Sequence, residues 1–154
     1  MGRPRVSSNP PVTDCLFCDV VARRYPAEFV LETPVVVAFM DQLRQPEDVG
    51  HVLVIPRAHV ENIYGVDDAL GAALFNAHAR IARAVKRALA PDGITTWSSN
   101  ERGAGQEIPH FHLHVFPRRT GSPFPIARRV PEMHLPASVL APAAARIREA
   151  LTAL

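Results

Sequence analysis

The stretch that decides the fold is GQEIPHFHLHVFPR, residues 105–118. Histidines alternate with apolar residues, which predicts a strand over Ile108–Phe116 that ends at Pro117. Successive side chains of a strand point to opposite faces. The pattern therefore predicts that three histidines share one face while three apolar side chains face a core. The histidines are His110, His112 and His114, and the apolar residues are Phe111, Leu113 and Val115.

Three imidazoles on one strand face are a poor choice for a core, because each buried ring nitrogen needs a hydrogen-bond partner. Two functional interpretations compete. In the first, the rings hold a zinc ion that keeps an open position for water. In the second, one imidazole attacks phosphorus while its neighbours orient it or bind phosphate oxygens. The spacing alone leaves both open.

A glycine-containing turn over Glu101–Gln106 precedes the triad strand. Such a turn can bring backbone N–H groups close to phosphate oxygens, as anion-binding nests do. The side-chain amide of Gln106 can donate to the same anion. The turn therefore favours the phosphate interpretation, although turns with two glycines are common.

The rest of the chain predicts strands on both sides of one long helix. The order β-β-β-α-β-β predicts an α+β domain with an antiparallel sheet of about five strands. Alternation in the third strand places His51 on one face with Leu53 and Ile55. Besides the triad strand, the predicted strands are Phe29–Leu31, Val35–Met40, Gly50–Pro56 and Ile94–Ser98, and the predicted helices are a short one capped by Asp14, Val66–Leu89 and the C-terminal Ser138–Leu151.

Composition indicates one soluble domain. The chain has 154 residues, of which 47% are hydrophobic and 21% charged, with a net charge of +2. The composition of residues 1–13 predicts a flexible tail, and we expect residues 14–154 to form a single domain. Within that domain, residues 119–136 are predicted to be irregular. The small charge favours neither nucleic acid nor membrane as partner, and no apolar run reaches the ~20 residues of a membrane helix. Without a secretory signal, we expect a cytoplasmic protein.

The two cysteines, Cys15 and Cys18, form a C-x-x-C pair. A disulfide between them would close a very small loop and stabilise little. In a chain without a secretory signal, the pair indicates metal binding or redox activity.

Together these blocks resemble the histidine triad (HIT) superfamily over most of residues 15–118. A histidine at the third triad position, His114, favours its hydrolase branches, and the C-x-x-C pair resembles the bacterial Hit and Hint-like branch. The matching blocks are Cys15-Leu16-Phe17-Cys18, Phe39-Met40-Asp41, GHVLVIPRAH at residues 50–59, Asn100, Gly105-Gln106, and the triad followed by Pro117-Arg118.

The resemblance implies a HIT-like fold and a nucleotide hydrolase or transferase acting at an α-phosphate. His112 is then the nucleophile that forms a nucleotidyl-histidine intermediate, His114 binds the α-phosphate oxygens, and His51 supports the triad. The nucleotide-binding residues implied are Asp41 for the ribose, Phe17 for the base, and Asn100, Gly105, Gln106 and Glu107 beside the phosphate.

Glu107 stands where the family usually has Ser or Thr. A carboxylate there repels phosphate unless it turns away. One hypothesis is that it biases the enzyme toward amine leaving groups. The alternative is that the side chain faces solvent and only its backbone N–H serves the site.

The resemblance also implies a structural zinc site at Cys15, Cys18, His59 and His110, a normal Cys₂His₂ set. It implies a homodimer in which the long helix and an edge strand pair across a dyad. The leading function is hydrolysis of a purine nucleoside phosphoramidate or nucleotide. The alternatives are a dinucleoside polyphosphate hydrolase or phosphorylase, and a nucleotide-binding interaction protein with weak catalysis.

Overall fold

The computed structural model describes residues 14–42, 49–122 and 134–154. The predicted tail at 1–13 and most of the predicted irregular segment at 119–136 lie outside these ranges. The helices are α1 (Leu16–Val21), α2 (Asp68–Leu89) and α3 (Ala137–Thr152), and the strands are β1 (Phe29–Glu32), β2 (Val36–Met40), β3 (Val52–Pro56), β4 (Gly93–Trp97) and β5 (Leu113–Arg118).

The five strands form one antiparallel sheet in the order β1-β2-β3-β5-β4. The predicted α+β class, with a five-stranded antiparallel sheet, a long helix and a C-terminal helix, is confirmed. β1 and β2 form the predicted hairpin, and Thr33 Oγ1 stabilises its turn by accepting from the Val36 N–H at 2.8 Å. β5 lies between β3 and β4, so the triad strand is held on both sides.

Both faces of the sheet are covered. Helices α2 and α3 pack on each other and on one face, where Ala38, Val54 and Val115 are buried. On the opposite face, α1 and neighbouring loops cover Phe39 and Leu53. The predicted apolar stripe of α2 is buried as expected, at Leu74, Ala77, Ile81, Ala84 and Val85.

The triad strand begins later and ends later than the sequence predicts. It begins at Leu113 rather than Ile108, because the carbonyl of Pro56 accepts from the ring of His110 and the Phe111 N–H donates to Val60. The strand also continues through Pro117, which pairs with Ile94 on β4. β3 pairs with no residue of β5 beyond Val115, so the missing N–H of Pro117 breaks no bond on that side.

Helix α1 begins with a cysteine cap rather than the predicted Asp14 cap. The Sγ of Cys15 accepts from the Cys18 N–H at 3.4 Å, so the first cysteine is the N-cap residue. The C-x-x-C pair therefore occupies the first turn of a helix, where both sulfurs lie at the same end. Within the described ranges, none of the helices is both long and apolar enough to cross a membrane.

Candidate active site

The three triad histidines are buried on the α1 side of the sheet. The ring of Phe17 in α1 contacts His110 and His112, with centroids 6.0 and 5.2 Å away. The rings of His112 and His114 lie 4.9 Å apart. Phe111 and Val115 belong to the core on the opposite face. The alternation predicted from the sequence therefore holds, although the first two histidines precede the hydrogen-bonded strand.

The hydrogen bond of His112 determines which ring nitrogen carries its proton. Its Nδ1 lies 2.7 Å from the carbonyl oxygen of His110. A carbonyl only accepts, so Nδ1 carries the hydrogen, and Nε2 of the neutral ring carries a lone pair. The local fold thus fixes His112 in the tautomer that a nucleophile needs.

A chain of hydrogen bonds links Asp41, His51 and His114. Asp41 Oδ2 lies 2.9 Å from His51 Nδ1, and His51 Nε2 lies 2.9 Å from His114 Nδ1. Because the carboxylate accepts, His51 donates from Nδ1, and its Nε2 accepts from His114. One further proton on Nε2 of His114 would convert that atom into a donor toward an anion. The arrangement can therefore hold or release one proton beside His112.

Trp97 and His78 both contact His114, and the sequence predicted a role for neither residue. The indole of Trp97 stacks on His114, with centroids 4.1 Å apart and planes 5° apart. His78 on α2 is buried, and its Nε2 donates to the backbone carbonyl of His114 at 3.1 Å. One signal was available for His78, since its position i+4 from Leu74 places it on the buried stripe of α2.

The burial of His78 predicts a pH-dependent stability. Burial lowers the pKa of His78 below its usual 6.5, and the His114 carbonyl offsets part of this. The unfolded chain keeps the usual pKa. Because the folded pKa is lower, this contribution to stability is present above the unfolded pKa and is lost as the pH falls below it.

We expect His78→Gln to lose less free energy of unfolding than wild type between pH 7.5 and 5. Glutamine can donate to the same carbonyl and does not titrate in this range. Urea unfolding at both pH values measures the difference. Burial also lowers the pKa of His110, to about 4. His110 is present in both proteins, so its effect on stability cancels in the comparison. Equal losses of the free energy of unfolding in the two proteins would show that His78 does not cause this pH dependence.

The glycine-containing turn is held by Gln106, which is buried. Its Nε2 donates to the carbonyls of Glu61 and Ile108 at 2.6 and 3.1 Å, and its Oε1 accepts from the Glu101 N–H at 2.7 Å. The sequence predicted that this amide donates to phosphate, but in the structure both of its hydrogens are donated to backbone carbonyls of the protein. The amide fastens the turn to the segment that leads into the triad.

Glu101 has a strained backbone at the start of this turn. Its φ of 69° and ψ of 161° lie in a region that is essentially confined to glycine. Such strain costs about 1–3 kcal/mol. The bonds from Gln106 hold the residue there, since Glu101 both donates to its side chain and accepts from its backbone N–H.

We expect Glu101→Gly to raise the free energy of unfolding by about 1 kcal/mol, because relief of strain exceeds the added entropy of glycine. Glu101→Ala is the matched control, since it removes the charge but keeps a Cβ and the strain. Chemical denaturation measures both variants. A glycine variant no more stable than the alanine variant would refute the strain argument.

The remaining predicted nucleotide-binding residues lie around this turn and the triad. Asn100 Oδ1 accepts from the Ile63 N–H at 2.8 Å, which orients the amide, and its Nδ2 group is the donor that could meet phosphate. Gly105 is exposed and has a φ of 89°, which favours glycine. The side chain of Glu107 is exposed. Phe17 is buried between Phe39 and the histidines.

A second cluster lies directly beside the triad, where α1 meets the residues before β5. Within the described ranges, one potential metal-binding group has all its ligand atoms within 4.8 Å of one another: Cys15, Cys18, His59 and His110. His110 Nδ1 lies 3.4 and 3.6 Å from the two sulfurs, and His59 Nδ1 lies 3.3 Å from Cys18. Ligands of a tetrahedral zinc ion lie roughly 3.3–3.8 Å apart. The cluster could bind a metal ion.

The protonation of this cluster fits a cation. His110 Nε2 donates to the Pro56 carbonyl at 2.8 Å, so the neutral ring directs the lone pair of Nδ1 at the sulfurs. Burial lowers the pKa of His110 to about 4, which keeps the ring neutral. Burial and the neighbouring Cys15 raise the pKa of Cys18 to about 12. Two thiolates here therefore need a cation to offset their repulsion.

The tris-histidine alternative has less support. The Nδ1 atoms of His110, His112 and His114 are directed at Cys15, at the His110 carbonyl and at His51, respectively. The three rings thus do not converge through these atoms on one point. Among residues 14–42, 49–122 and 134–154, they form no group with mutually close ligand atoms.

Comparison with known proteins identifies the family. The HIT domain family model matches residues 22–121. The chain belongs to this family. It is 39% identical over 105 residues to Protein hit of Bacillus subtilis, covering 68% of this chain and 71% of that protein.

Solved structures of HIT proteins share the fold. A Hit-like protein from Bartonella henselae matches with a TM-score of 0.80 and 33% identity, over 89% of this chain and 96% of its own. A zinc-bound histidine triad family protein from Mycobacterium smegmatis matches with a TM-score of 0.75 and 29% identity, over 91% and 94%.

Some relatives carry a named activity. An adenosine 5'-monophosphoramidase of Saccharomyces cerevisiae is 30% identical over 105 residues, which cover 68% of this chain and 63% of the yeast protein. Nucleotide hydrolysis is thus an activity found among relatives of this chain.

Proposed function

We propose that this HIT protein hydrolyses purine nucleoside phosphoramidates, or related nucleotides, through a nucleotidyl-histidine intermediate on His112. The observation that carries the proposal is the hydrogen bond from His112 Nδ1 to the His110 carbonyl, 2.7 Å long. Because Nδ1 carries the hydrogen, we propose that the lone pair of Nε2 attacks phosphorus. The yeast relative named as an adenosine 5'-monophosphoramidase supports the substrate class.

The proposed reaction has two steps. In the first, the lone pair of His112 Nε2 forms a bond to the α-phosphorus, the P–N bond of the substrate breaks, and the leaving amine takes up one proton. We propose that the hydrogen-bonded His51–His114 pair enters the reaction with one extra proton, on Nε2 of His114, and passes this proton to the amine. In the second step, water attacks phosphorus, the His112–P bond breaks, and the proton of the water restores the pair.

The other residues have supporting roles in this proposal. His114 binds the α-phosphate oxygens through Nε2, and Asp41 orients His51 through the contact at 2.9 Å. The ribose contact that the family implies for Asp41 stays a proposal of its own, as does the base contact of Phe17. Gln106 holds the turn, and its contact with phosphate stays a proposal. The exposure of Glu107 supports the alternative in which only its backbone serves the site.

We further propose a structural zinc ion at Cys15, Cys18, His59 and His110. Its support is the tautomer of His110, whose Nδ1 lone pair faces the sulfurs, and the zinc-bound HIT protein from Mycobacterium smegmatis. When bound, zinc would stabilise the thiolates and fix the segment that carries His112.

The homodimer implied by the family is a proposal as well. β4 forms one edge of the sheet, and Phe75 on α2 is 69% exposed, which leaves surface for a second copy. Sedimentation equilibrium tests it directly, and a monomer at all concentrations would exclude it.

Turnover of adenosine 5'-phosphoramidate by the purified protein tests the main proposal. Release of AMP and ammonia is expected. A protein that binds AMP but hydrolyses neither this substrate nor a dinucleoside polyphosphate would instead favour the nucleotide-binding interaction protein.

A further inference from the structure

The indole of Trp97 stacks on His114 and His51, which are joined by a hydrogen bond. The two imidazoles are joined edge to edge through Nε2 and Nδ1, 2.9 Å apart, and their planes differ by 22°. The indole plane differs by 5° from that of His114 and by 25° from that of His51, at centroid distances of 4.1 and 5.7 Å. Trp97 is therefore nearly parallel to both rings at once.

The position of Trp97 follows from the sheet register. It is the last residue of β4 and pairs directly with His114 on β5, so the two side chains stand side by side on one face. Phe116 contacts the same group of rings, but it meets His51 at 60° and Trp97 at 49°. Of these two aromatic residues, only Trp97 provides a flat surface against the pair.

A flat surface is what this pair requires. The χ2 torsion of a histidine has a broad energy minimum, so the ring plane needs an outside constraint. A hydrogen bond between ring nitrogens prefers a donor angle above about 150° and weakens steeply below about 120°. An indole stacked over both rings holds them close to one plane and excludes water from that face.

We infer that Trp97 is a positioning residue that keeps His51 and His114 coplanar, and so keeps their shared proton in place for the reaction. It acts through the two histidines rather than on the substrate. The kinetic part of this inference rests on the function proposed above. The structural part, the fixed tautomers of the pair, does not.

The test compares wild type with Trp97→Leu and Trp97→Phe. Leucine fills space but is not flat, whereas phenylalanine keeps a single ring that can stack on His114. Long-range ¹H–¹⁵N NMR of the histidine rings, without substrate, reports the tautomers of His51 and His114. We expect one tautomer for each in wild type, mixed tautomers in Trp97→Leu, and wild-type-like spectra for at least His114 in Trp97→Phe.

Kinetics with adenosine 5'-phosphoramidate provide the second measurement. A small displacement of reacting groups can cost up to about 100-fold in rate, so we expect kcat of Trp97→Leu to fall at least about tenfold with little change in KM. Trp97→Phe should recover much of that loss. Thr95→Ala, two residues earlier on the same face of β4, controls for weakening of the edge strand.

The outcomes separate the two ideas. Mixed tautomers in a folded Trp97→Leu protein support the inference even if wild type hydrolyses nothing, in which case the proposed function fails alone. Wild-type tautomers together with wild-type kcat in a folded Trp97→Leu protein overturn the inference. If Trp97→Leu does not fold, the spectra of Trp97→Phe decide, since mixed His114 tautomers despite the retained ring would also overturn it.

Discussion

Replacing His112 with asparagine is expected to lower kcat for adenosine 5'-phosphoramidate by at least about 10³-fold, in the range seen when a catalytic nucleophile is removed. Asparagine lacks the Nε2 lone pair, but its amide can still donate toward the His110 carbonyl. The local backbone should therefore stay in place. AMP affinity, measured by calorimetry, should change much less than kcat, because most of the proposed nucleotide contacts do not involve His112.

The control for this variant is His134→Ala. His134 is an exposed histidine whose contact is with the hydroxyl of Tyr25, far along the chain from the triad. Its removal should leave kcat unchanged. Acid quenching of wild type during turnover, followed by mass spectrometry, should detect AMP bound to a peptide containing His112. A His112→Asn protein with more than a tenth of wild-type kcat would remove His112 as the nucleophile.

Much of the fold could be predicted because short-range patterns determine it. Alternation predicted that His51 shares a face with Leu53 and Ile55, and that Phe111 and Val115 face the other core. The 3.6-residue period predicted the buried stripe of α2. These predictions needed no knowledge of which segments meet, because each side chain's direction follows from its own element.

The features that the sequence could not predict depend on contacts between distant segments. The start of β5 depends on a carbonyl of Pro56 that His110 engages from 54 residues away. Gln106 has a donor amide in any context, but only the fold shows that Glu61 and Ile108 occupy it. The role inferred for Trp97 likewise depends on the register of β4 against β5. Such partners cannot be derived from local periodicity.

His110 connects the two candidate sites. Its ring faces the two cysteine sulfurs, while its backbone carbonyl accepts the hydrogen bond that sets the tautomer of His112. A cation bound to the ring would therefore also hold the carbonyl in place. The metal cluster would therefore do more than stabilise α1. Loss of the metal ion would also loosen His112, the proposed nucleophile.

Removing zinc is expected to lower the melting temperature by about 10 °C. A ligand present at 1,000 times its Kd stabilises the folded state by about 4 kcal/mol, and each kcal/mol shifts the melting temperature of a domain this size by about 2–4 °C. Protein produced with zinc should contain one ion per chain by mass spectrometry of metals. Cys15→Ser should abolish it, because a serine hydroxyl is a poor zinc ligand in place of a thiolate.

Thiol reactivity gives a readout that is independent of catalysis. The sequence contains two cysteines, both in this cluster, so a thiol reagent reports on the site alone. We expect very slow labelling of the zinc-loaded protein and faster labelling after chelation, although burial and the raised pKa of Cys18 keep that rate below the rate of a free thiol. His59→Ala should weaken zinc binding, whereas His134→Ala, another exposed histidine, should not. Equal zinc content and equal labelling rates in these two variants would exclude His59 as a ligand. The zinc site would be excluded if the purified protein contained no zinc and its melting temperature did not respond to added zinc.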